Sequence, residues 1–371
     1  MIGVEKRPAP STAASILSPI FAIALTIICG LLMIAAAGKS PFEALDVYFL
    51  FPYNDMVAYF NAPPDERSGL LYQPAEVLVK AIPLALIGVG LSIAFRAGLF
   101  NIGAPGQYIL GAIFAGAVAL HVPEGAPKIV VLPVCLIAGA VGGLLWAFIP
   151  AFFRIRTGAS EILTSLMLGY VASLLLDWLV RNPWKDPLGF GFPQSQDFPE
   201  SATMPLMLEG TRLHWGLVLT VIILAVLWYV MSRTVAGFRV TVTGLAPRAA
   251  HFAGFKQPAT IYSVFLLSGA LAGLAGAIEA TATIGQLQPE ISAEYGFAAI
   301  IVAFLGRLHP LGVLFAALVL AMTYIGGENA QILLGLPKNA TLVFQGMLLL
   351  FLLACDVLIH YRLRWRSAQR A

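Results

Sequence analysis

Few residues in this 371-residue chain have the type and spacing that a catalytic, metal or cofactor site requires. Cys29, Cys135 and Cys355 lie in apolar runs without CxxC spacing, which is typical of small buried hydrophobic residues. The five histidines are scattered, and the motifs HExxH, GxSxG and GxGxxG are absent. Residues 38–40, Gly-Lys-Ser, resemble the end of a phosphate-binding loop, but Met33 stands where its first glycine belongs. The sequence therefore predicts no catalytic residue, no metal site and no cofactor bound by this chain.

Few polar residues lie inside the apolar runs, and the positions of the charged ones disfavour ion-coupled chemistry. Charged groups in a membrane cost about 2.5–3.5 kcal/mol, and the acidic residues of the runs lie near run ends: Glu161, Asp177, Glu279 and Asp356. The lack of a central carboxylate disfavours a proton-coupled carrier. Asn101 lies in a break between two runs at 98–103, and Gln107 follows the break. Broken helices with polar tips often line a transport path, although a tight turn is the alternative.

The composition indicates what kind of structure must position these residues. Hydrophobic residues make up 59% of the chain and charged residues 11%, where soluble proteins contain about 25% charged residues. The mean hydropathy is +0.86. These values exclude a cytosolic enzyme, a disordered regulator and a nucleic-acid-binding protein. We therefore expect membrane lipid, and no nucleic acid, among the partners.

Ten apolar segments predict an all-α, polytopic membrane protein that forms one transmembrane domain over residues 1–371. In lipid each segment must be helical, because unpaired backbone groups there cost several kcal/mol apiece. The eighth segment is short and ends at glycine and proline, so some helices are expected to be short or broken. The predicted spans are 15–37, 77–97, 103–121, 128–152, 160–180, 214–232, 258–280, 295–306, 310–327 and 340–360.

The distribution of charge predicts the orientation. An N-terminus in the cytoplasm places 14 of the 22 basic residues on the inner side, but only three of the 19 acidic ones. Lysine and arginine concentrate on the cytoplasmic side of membrane proteins. If 295–306 and 310–327 formed one kinked helix, the number of crossings would be odd and the C-terminal arginines would face outward. We therefore expect ten spans with both termini in the cytoplasm.

Two long loops are expected on the outer side. Residues 38–76 contain many aromatic and acidic residues, and the segment 41–60 could be either a helix in the membrane interface or an irregular loop. Residues 181–213 are rich in proline, tryptophan and phenylalanine. Tryptophan favours the membrane–water boundary, so an interfacial anchor is expected there.

One long loop, at 233–257, is expected on the inner side. It contains four basic residues, one histidine and no acidic residue. Residues 247–253 predict a short helix that begins at Pro247, a favoured first position, and ends at Gly254, a favoured C-cap. A basic helix of small residues suits docking to a cytoplasmic protein, and a loop that merely follows the charge rule is the alternative.

Pairs of glycines spaced four apart predict close helix packing. They are Gly139 with Gly143 and Gly269 with Gly273. Lipid provides no hydrophobic drive for helices to associate, so small residues that let backbones approach are favoured at their interfaces. We expect these pairs to allow tight packing of the helix bundle.

Four ordered motifs, spread from about residue 75 to 360, resemble those of a known family. They are AFRAGLFNIGAPGQYILGA (94–112), TGASEILTSLMLGY (157–170), VTGLAPRAAHFAGF (242–255) and EYGFAAIIVAFLGRLHPLG (294–312). The family is that of the membrane permeases of ABC importers for branched-chain amino acids, simple sugars and nucleosides, and the nucleoside type is the most similar. The chain departs from the family pattern at Pro105, Ser160, Gly169 and Ala246.

The resemblance implies that 242–255 contains the coupling helix, which transmits the work of a separate ATPase. The residues it assigns to that role are Gly244, Pro247, Arg248, Ala249, Ala250 and Gly254. Gly244 and Gly254 would end the helix, and Ala249 and Ala250 would form its close-packed face. The chain would then be a transport subunit and no enzyme, since ATP and Mg²⁺ would be bound by the ATPase. A second permease, from a different gene or a second copy, and an extracytoplasmic binding protein would complete the importer in a bacterial inner (plasma) membrane.

The substrate is the least determined feature. Asn101, Gln107, Ser160 and Glu161 are the candidates for the substrate pathway, because they supply the hydrogen bonds that a sugar or a base needs. The resemblance favours a nucleoside, and a simple sugar is the alternative within the family. An ion-coupled secondary transporter and a membrane-embedded enzyme are alternatives outside it, but the central ionisable residue or clustered histidines they need are absent.

Overall fold

Helices dominate the computed structural model, which describes residues 2–6, 12–63, 67, 69–123, 125–291, 294–337 and 339–365. Two short strands at the chain ends are the other regular elements of these residues. The helices are α1 Thr12–Ala36, α2 Pro41–Leu45, α3 Phe51–Asn61, α4 Tyr72–Arg96, α5 Ala104–Leu120, α6 Lys128–Thr157, α7 Glu161–Arg181, α8 Gly216–Arg233, α9 Val235–Leu245, α10 Pro247–Phe252, α11 Gln257–Ile278, α12 Tyr295–Leu305, α13 Pro310–Leu334 and α14 Asn339–His360.

The predicted all-α class is confirmed. In the described part of the chain, eight helices are long and apolar enough to cross a membrane, and α5, α9 and α12 are shorter apolar helices. Eight predicted spans correspond to the long helices, while 103–121 and 295–306 correspond to α5 and α12. The count of ten crossings stays a prediction. The largest boundary difference is in α13, which continues seven residues beyond the predicted 327 to Leu334.

The chain forms two compact units, Ala58–Ala321 and a smaller one of Met1–Val57 with Met322–Ala371. In the larger unit α11 packs against α4, α5 and α6. A Cβ atom added to Gly111 would lie 2.1 Å from the carbonyl oxygen of Gly273, and one added to Gly143 would lie 2.2 Å from that of Gly269. Only glycine allows these backbones to approach so closely, as the four-residue spacing predicted.

In the smaller unit α1 packs along α14, and Ser18 Oγ donates a hydrogen bond to Asp356 Oδ1. One of its core clusters consists of five buried residues: Ile34, Ala44, Tyr48, Ala330 and Leu336. The segment that sequence left open as helix or loop is helical from 41 to 61, through α2, a π-helical stretch Asp46–Leu50 and α3. Ser40 Oγ accepts from the Glu43 N–H, which caps the start of α2.

The two ends of the described chain pair with each other. Strand β1, Ile2–Lys6, runs antiparallel to β2, Tyr361–Trp365, with Ile2 opposite Trp365. A chain whose ends pair as strands must cross a membrane an even number of times. The pairing therefore disfavours one kinked helix over 295–327, as does the turn at 306–309 that separates α12 from α13.

Candidate functional site

The predicted short helix of the inner segment is present as α10. It begins at Pro247, whose missing N–H makes it suitable for a first helical position. It ends because Gly254 adopts a left-handed φ of 81°, and the Phe255 N–H then donates to the Ala250 carbonyl at 3.0 Å. Both predicted ends of this helix, Pro247 and Gly254, therefore have the backbone roles that the sequence indicated.

Two expectations about the inner segment need correction. It is not a loop, because the eleven residues of α9 precede α10, with Thr234 as N-cap. Gly244 does not begin the coupling helix but lies inside α9, where an added Cβ would be 2.0 Å from the Arg96 carbonyl oxygen. The glycine is needed because α9 rests against the end of α4.

The side chains of α10, and of the residue that ends α9, are divided between buried and exposed positions. Ala250 is 3% exposed, whereas Arg248 and Ala249 are exposed, so the predicted close-packed face consists of Ala250 alone. Neighbouring helical residues point about 100° apart, so two consecutive alanines cannot both face the bundle. Leu245 and Phe252 are apolar yet 81% and 91% exposed. Large apolar side chains presented in this way are suited to a protein partner.

A cavity of about 690 Å³ lies beside α10 and the start of α11. It extends this open surface along the same segment. The residues that line it are His251, Gly254, Phe255, Lys256, Gln257, Pro258, Ala259 and Tyr262.

Asn101 and Gln107 bond to each other at the break between α4 and α5. Asn101 Nδ2 donates to Gln107 Oε1 at 2.8 Å and to Ser268 Oγ at 3.0 Å, and Gln107 Nε2 donates back to Asn101 Oδ1 at 3.0 Å. All three side chains are at most 1% exposed. The network fastens the break to α11, and in this conformation the two amides face each other.

Ser160 and Glu161 lie at the start of α7. The Glu161 carboxylate pairs with Arg154 Nε at 3.3 Å, at the end of α6. Ser160 is exposed, and its carbonyl accepts from Thr164 Oγ1 at 2.9 Å. The hydrogen bonds of the described residues therefore divide the four pathway candidates into two pairs, and their role in transport stays a prediction.

Two positions where the chain departs from the family pattern lie on one small cavity. Pro105 and Gly169 line it together with Tyr170, Ser173 and Phe297, and its volume is about 90 Å³. A Cβ added to Gly169 would meet nothing within 4 Å. A larger residue at this position would fill space that is open in this chain.

An ionic cluster that includes two buried glutamates, Glu76 and Glu279, was missed by the sequence analysis. Arg212 Nε donates to Glu76 Oε1 at 2.8 Å and Nη2 bonds the other carboxylate oxygen, and this hydrogen bonding raises the pKa of Arg212. Glu279 is 5% exposed, and Lys80 lies 5.7 Å from the centre of the Tyr295 ring. Glu76 and Lys80 are four residues apart, which places them on one face of α4 and is the signal that sequence offered.

The segment between α7 and α8 lies along the end of α11. The Phe198 N–H donates to the Gly285 carbonyl at 2.7 Å, and the Met204 N–H donates to that of Thr281 at 2.9 Å. Residues Glu279–Ile284 are π-helical, a form that is frequent at functional sites. These bonds and the Glu76–Arg212 pair hold the predicted outer loop on the bundle.

Known membrane permeases resemble this chain over most of its length. Residues 73–353 match the sequence profile of the family described as branched-chain amino acid transport system / permease component. A glucose ABC transporter permease of Haloferax volcanii is 37% identical over 77% of each chain. A guanosine ABC transporter permease of Bacillus subtilis is 29% identical over 91% of this chain and 92% of its own length. A nucleoside ABC transporter permease of Lactococcus lactis is 28% identical over 85% and 84%.

The family profile covers more than half of the chain, including α4 to α13 and the predicted coupling segment. The resemblance that the four motifs carried is thereby confirmed. With its bundle of apolar helices and its short capped helix α10, this chain belongs to the family of branched-chain amino acid transport system permease components.

Proposed function

We propose that this chain is the membrane permease subunit of an ABC importer for a solute with a polyhydroxylated ring. Its family and its ABC permease relatives support the transport role. The observation that carries the proposal is α10, a short capped helix beside exposed apolar side chains in a segment without acidic residues. The subunit works in the plasma membrane and leaves ATP hydrolysis, with ATP and Mg²⁺, to a partner ATPase.

In this proposal α10 docks on the ATPase. Phe252 and Leu245 enter an apolar groove of the partner, and Arg248 pairs with its acidic residues. Closure of the ATPase dimer on ATP moves α10, and the movement passes into the bundle at two points. These are the contact of Gly244 with the Arg96 carbonyl and the direct connection of α10 to α11. The bundle then alternates between outward-open and inward-open states.

Two substrate classes share the proposed chemistry. The sequence motifs and the guanosine and nucleoside permeases favour a nucleoside. The glucose permease, at higher identity, favours a simple sugar. Both solutes present adjacent hydroxyl groups on a ring. A binding protein outside the membrane delivers the solute, and a second permease completes the pathway.

The coupling role predicts the effect of shortening Phe252. In the importer reconstituted with its ATPase, second permease and binding protein, Phe252→Ala should lower ATP-driven uptake at least about tenfold, because a buried aromatic anchor contributes about 2 kcal/mol or more to an interface. This loss is measured as the uptake of labelled uridine and of labelled glucose into proteoliposomes. The same assay identifies which of the two classes is carried.

The matched control is Leu188→Ala, which removes an equally exposed apolar side chain, 83% exposed, from the predicted outer side. Its uptake should remain within about twofold of the original. Equal uptake by Phe252→Ala and by the original chain would contradict the proposed coupling role of α10. Uptake driven by an ion gradient without the ATPase would refute the importer itself.

A further inference from the structure

Helix α13 continues beyond the predicted span end at 327 and carries a carboxylate in its last two turns. Glu328 is the single Asp, Glu, Lys or Arg among the 25 residues of this helix. At 1.5 Å per residue the helix is about 37 Å long, which exceeds a hydrocarbon core of about 30 Å. Glu328 lies six residues, or about 9 Å, from the helix midpoint, and therefore within the core if the helix is centred. An ionisable residue at that depth requires a polar or water-filled environment.

Glu328 lies at a pocket with other polar residues of the smaller unit. Tyr324, Gly327, Glu328 and Gln331 are three or four residues apart and thus share one face of α13. Thr341, in the first turn of α14, lies opposite. The pocket has a volume of about 340 Å³, and its lining residues are Tyr324, Gly327, Glu328, Gln331, Thr341 and Leu342.

The pocket wall is held in place by contacts beneath it. Thr341 Oγ1 is 3.3 Å from Tyr48 Oη, and the Tyr48 ring stacks on Phe344 with centroids 5.7 Å apart. A Cβ added to Gly327 would lie 2.0 Å from Thr341 Oγ1, so the glycine allows α14 to approach α13. Tyr48 and Thr341 are buried, whereas Glu328 and Gln331 are exposed.

The lining has the chemistry that recognises a polyhydroxylated ring. A carboxylate can accept hydrogen bonds from two adjacent hydroxyl groups, while an amide such as that of Gln331 both donates and accepts. The Tyr324 side chain adds an aromatic surface for the apolar side of a ring. The volume is within the range of small-molecule sites, about 300–1,000 Å³.

We propose that this pocket between α13 and α14 is a solute-binding subsite in which Glu328 accepts hydrogen bonds from two adjacent hydroxyl groups of the transported ring. The inference rests on the proposed function, which it deepens by naming the recognised group. A vicinal diol is common to ribose and glucose, so the subsite suits either of the two proposed substrate classes.

The test measures solute binding directly, without the binding protein. The permease complex with its ATPase is placed in lipid nanodiscs and titrated with labelled uridine, 2′-deoxyuridine, glucose and 2-deoxyglucose. Uridine or glucose should bind, and its 2-deoxy analogue should bind at least about tenfold more weakly, because one charged hydrogen bond is lost. Glu328→Gln should weaken binding of the parent solute to a similar extent and remove the preference over the deoxy analogue.

Glu43→Gln is the matched control, since Glu43 is an exposed glutamate of the same unit outside the pocket. It should leave binding unchanged. Gln331→Ala, which alters an exposed side chain, is the second variant and should also weaken binding. No binding by the original complex, or equal affinities for original and Glu328→Gln, would overturn the proposal. So would loss of the second permease from the Glu328→Gln complex on a native gel, because Glu328 would then serve assembly.

The proposed function has a separate outcome. ATP-driven uptake in the presence of the binding protein tests the importer, whereas equilibrium binding tests the subsite. Normal uptake together with unaltered binding by Glu328→Gln rejects the subsite and leaves the importer in place. A lack of uptake of every nucleoside and sugar rejects the importer.

Discussion

His214, directly before α8, is a buried histidine whose neutral form is bonded to the backbone. Its Nδ1 accepts from the Gly216 N–H at 3.2 Å, and burial lowers its pKa from 6.5 to about 4. Nδ1 can accept only while it carries no proton. A base whose pKa falls on folding binds fewer protons in the folded state. Its contribution to stability is therefore present at neutral pH and decreases as the pH falls from about 6.5 to about 4.

This histidine predicts a difference in acid sensitivity. Thermal unfolding of the purified protein in detergent should show a midpoint that falls more steeply between pH 6.5 and 4 than that of His214→Gln, whose amide oxygen accepts without titrating. The other ionisable groups contribute equally to the pH dependence of both proteins and cancel in the difference. Parallel pH curves for the two proteins would contradict the role of His214.

At the scale of residues, the sequence identified single polar side chains better than the residues to which they bond. Asn101 and Gln107 could be selected because they are polar residues in, and just after, the break between two apolar runs. Ser268 and Arg212 could not, because their partners Asn101 and Glu76 are 167 and 136 residues away along the chain. Pairings over such distances depend on the packing of whole helices, which a single sequence does not report.

At the scale of elements, the contact of α5, α6 and α11 depends on glycine. Gly273 lies opposite Gly111, and an added Cβ would also lie 2.3 Å from the Gly139 carbonyl oxygen. Backbones on both sides are held in helices, so neither can move away cheaply. These helices form the centre of the larger unit.

Replacing Gly273 should therefore disrupt the larger unit. Gly273→Leu is expected to lower the unfolding temperature in detergent and to reduce the yield of monodisperse protein, since overpacking costs about 1–3 kcal/mol or more. The control is Gly346→Leu in α14, where an added Cβ meets nothing within 4 Å. Equal unfolding temperatures for the two variants would contradict the close-packed centre.

Hydropathy predicted the long helices well and their ends less well. Apolar runs define α4, α6 and α14 because lipid requires helical backbone there. The extension of α13 to Leu334 was missed, since polar residues such as Glu328 and Gln331 ended the apolar run while the helix continued. Helix α9 was missed because a segment with Arg239, two threonines and two glycines resembles a loop in composition. The cap residues Pro247 and Gly254 made α10 predictable.

At the scale of the whole molecule, the paired strands β1 and β2 bring both chain ends to the same side of the membrane. The basic residues of the predicted inner side favour the cytoplasm for that side. Arg366 and Arg370 contribute to this argument by sequence and lie outside the described residues. Sequence charge thus predicted the orientation, while the pairing supplies an independent reason for an even number of crossings.

The orientation predicts the behaviour of reporter fusions. A fluorescent protein fused after residue 371 should fluoresce, and alkaline phosphatase inserted near Glu209, between α7 and α8, should be active outside the cytoplasm. Both reporters respond to the compartment in which they fold. An active phosphatase at the C-terminus would mean that the predicted orientation is inverted.

The exposed apolar side chains near α10 have a consequence for biosynthesis. Leu245 and Phe252 belong to a segment that is predicted to meet water, so a newly inserted subunit displays a hydrophobic signal that chaperones and proteases recognise. An ATPase that covers them would hide this signal. Cells would then degrade unassembled copies, and the abundance of the permease would follow the supply of its partner rather than the transcription of its own gene.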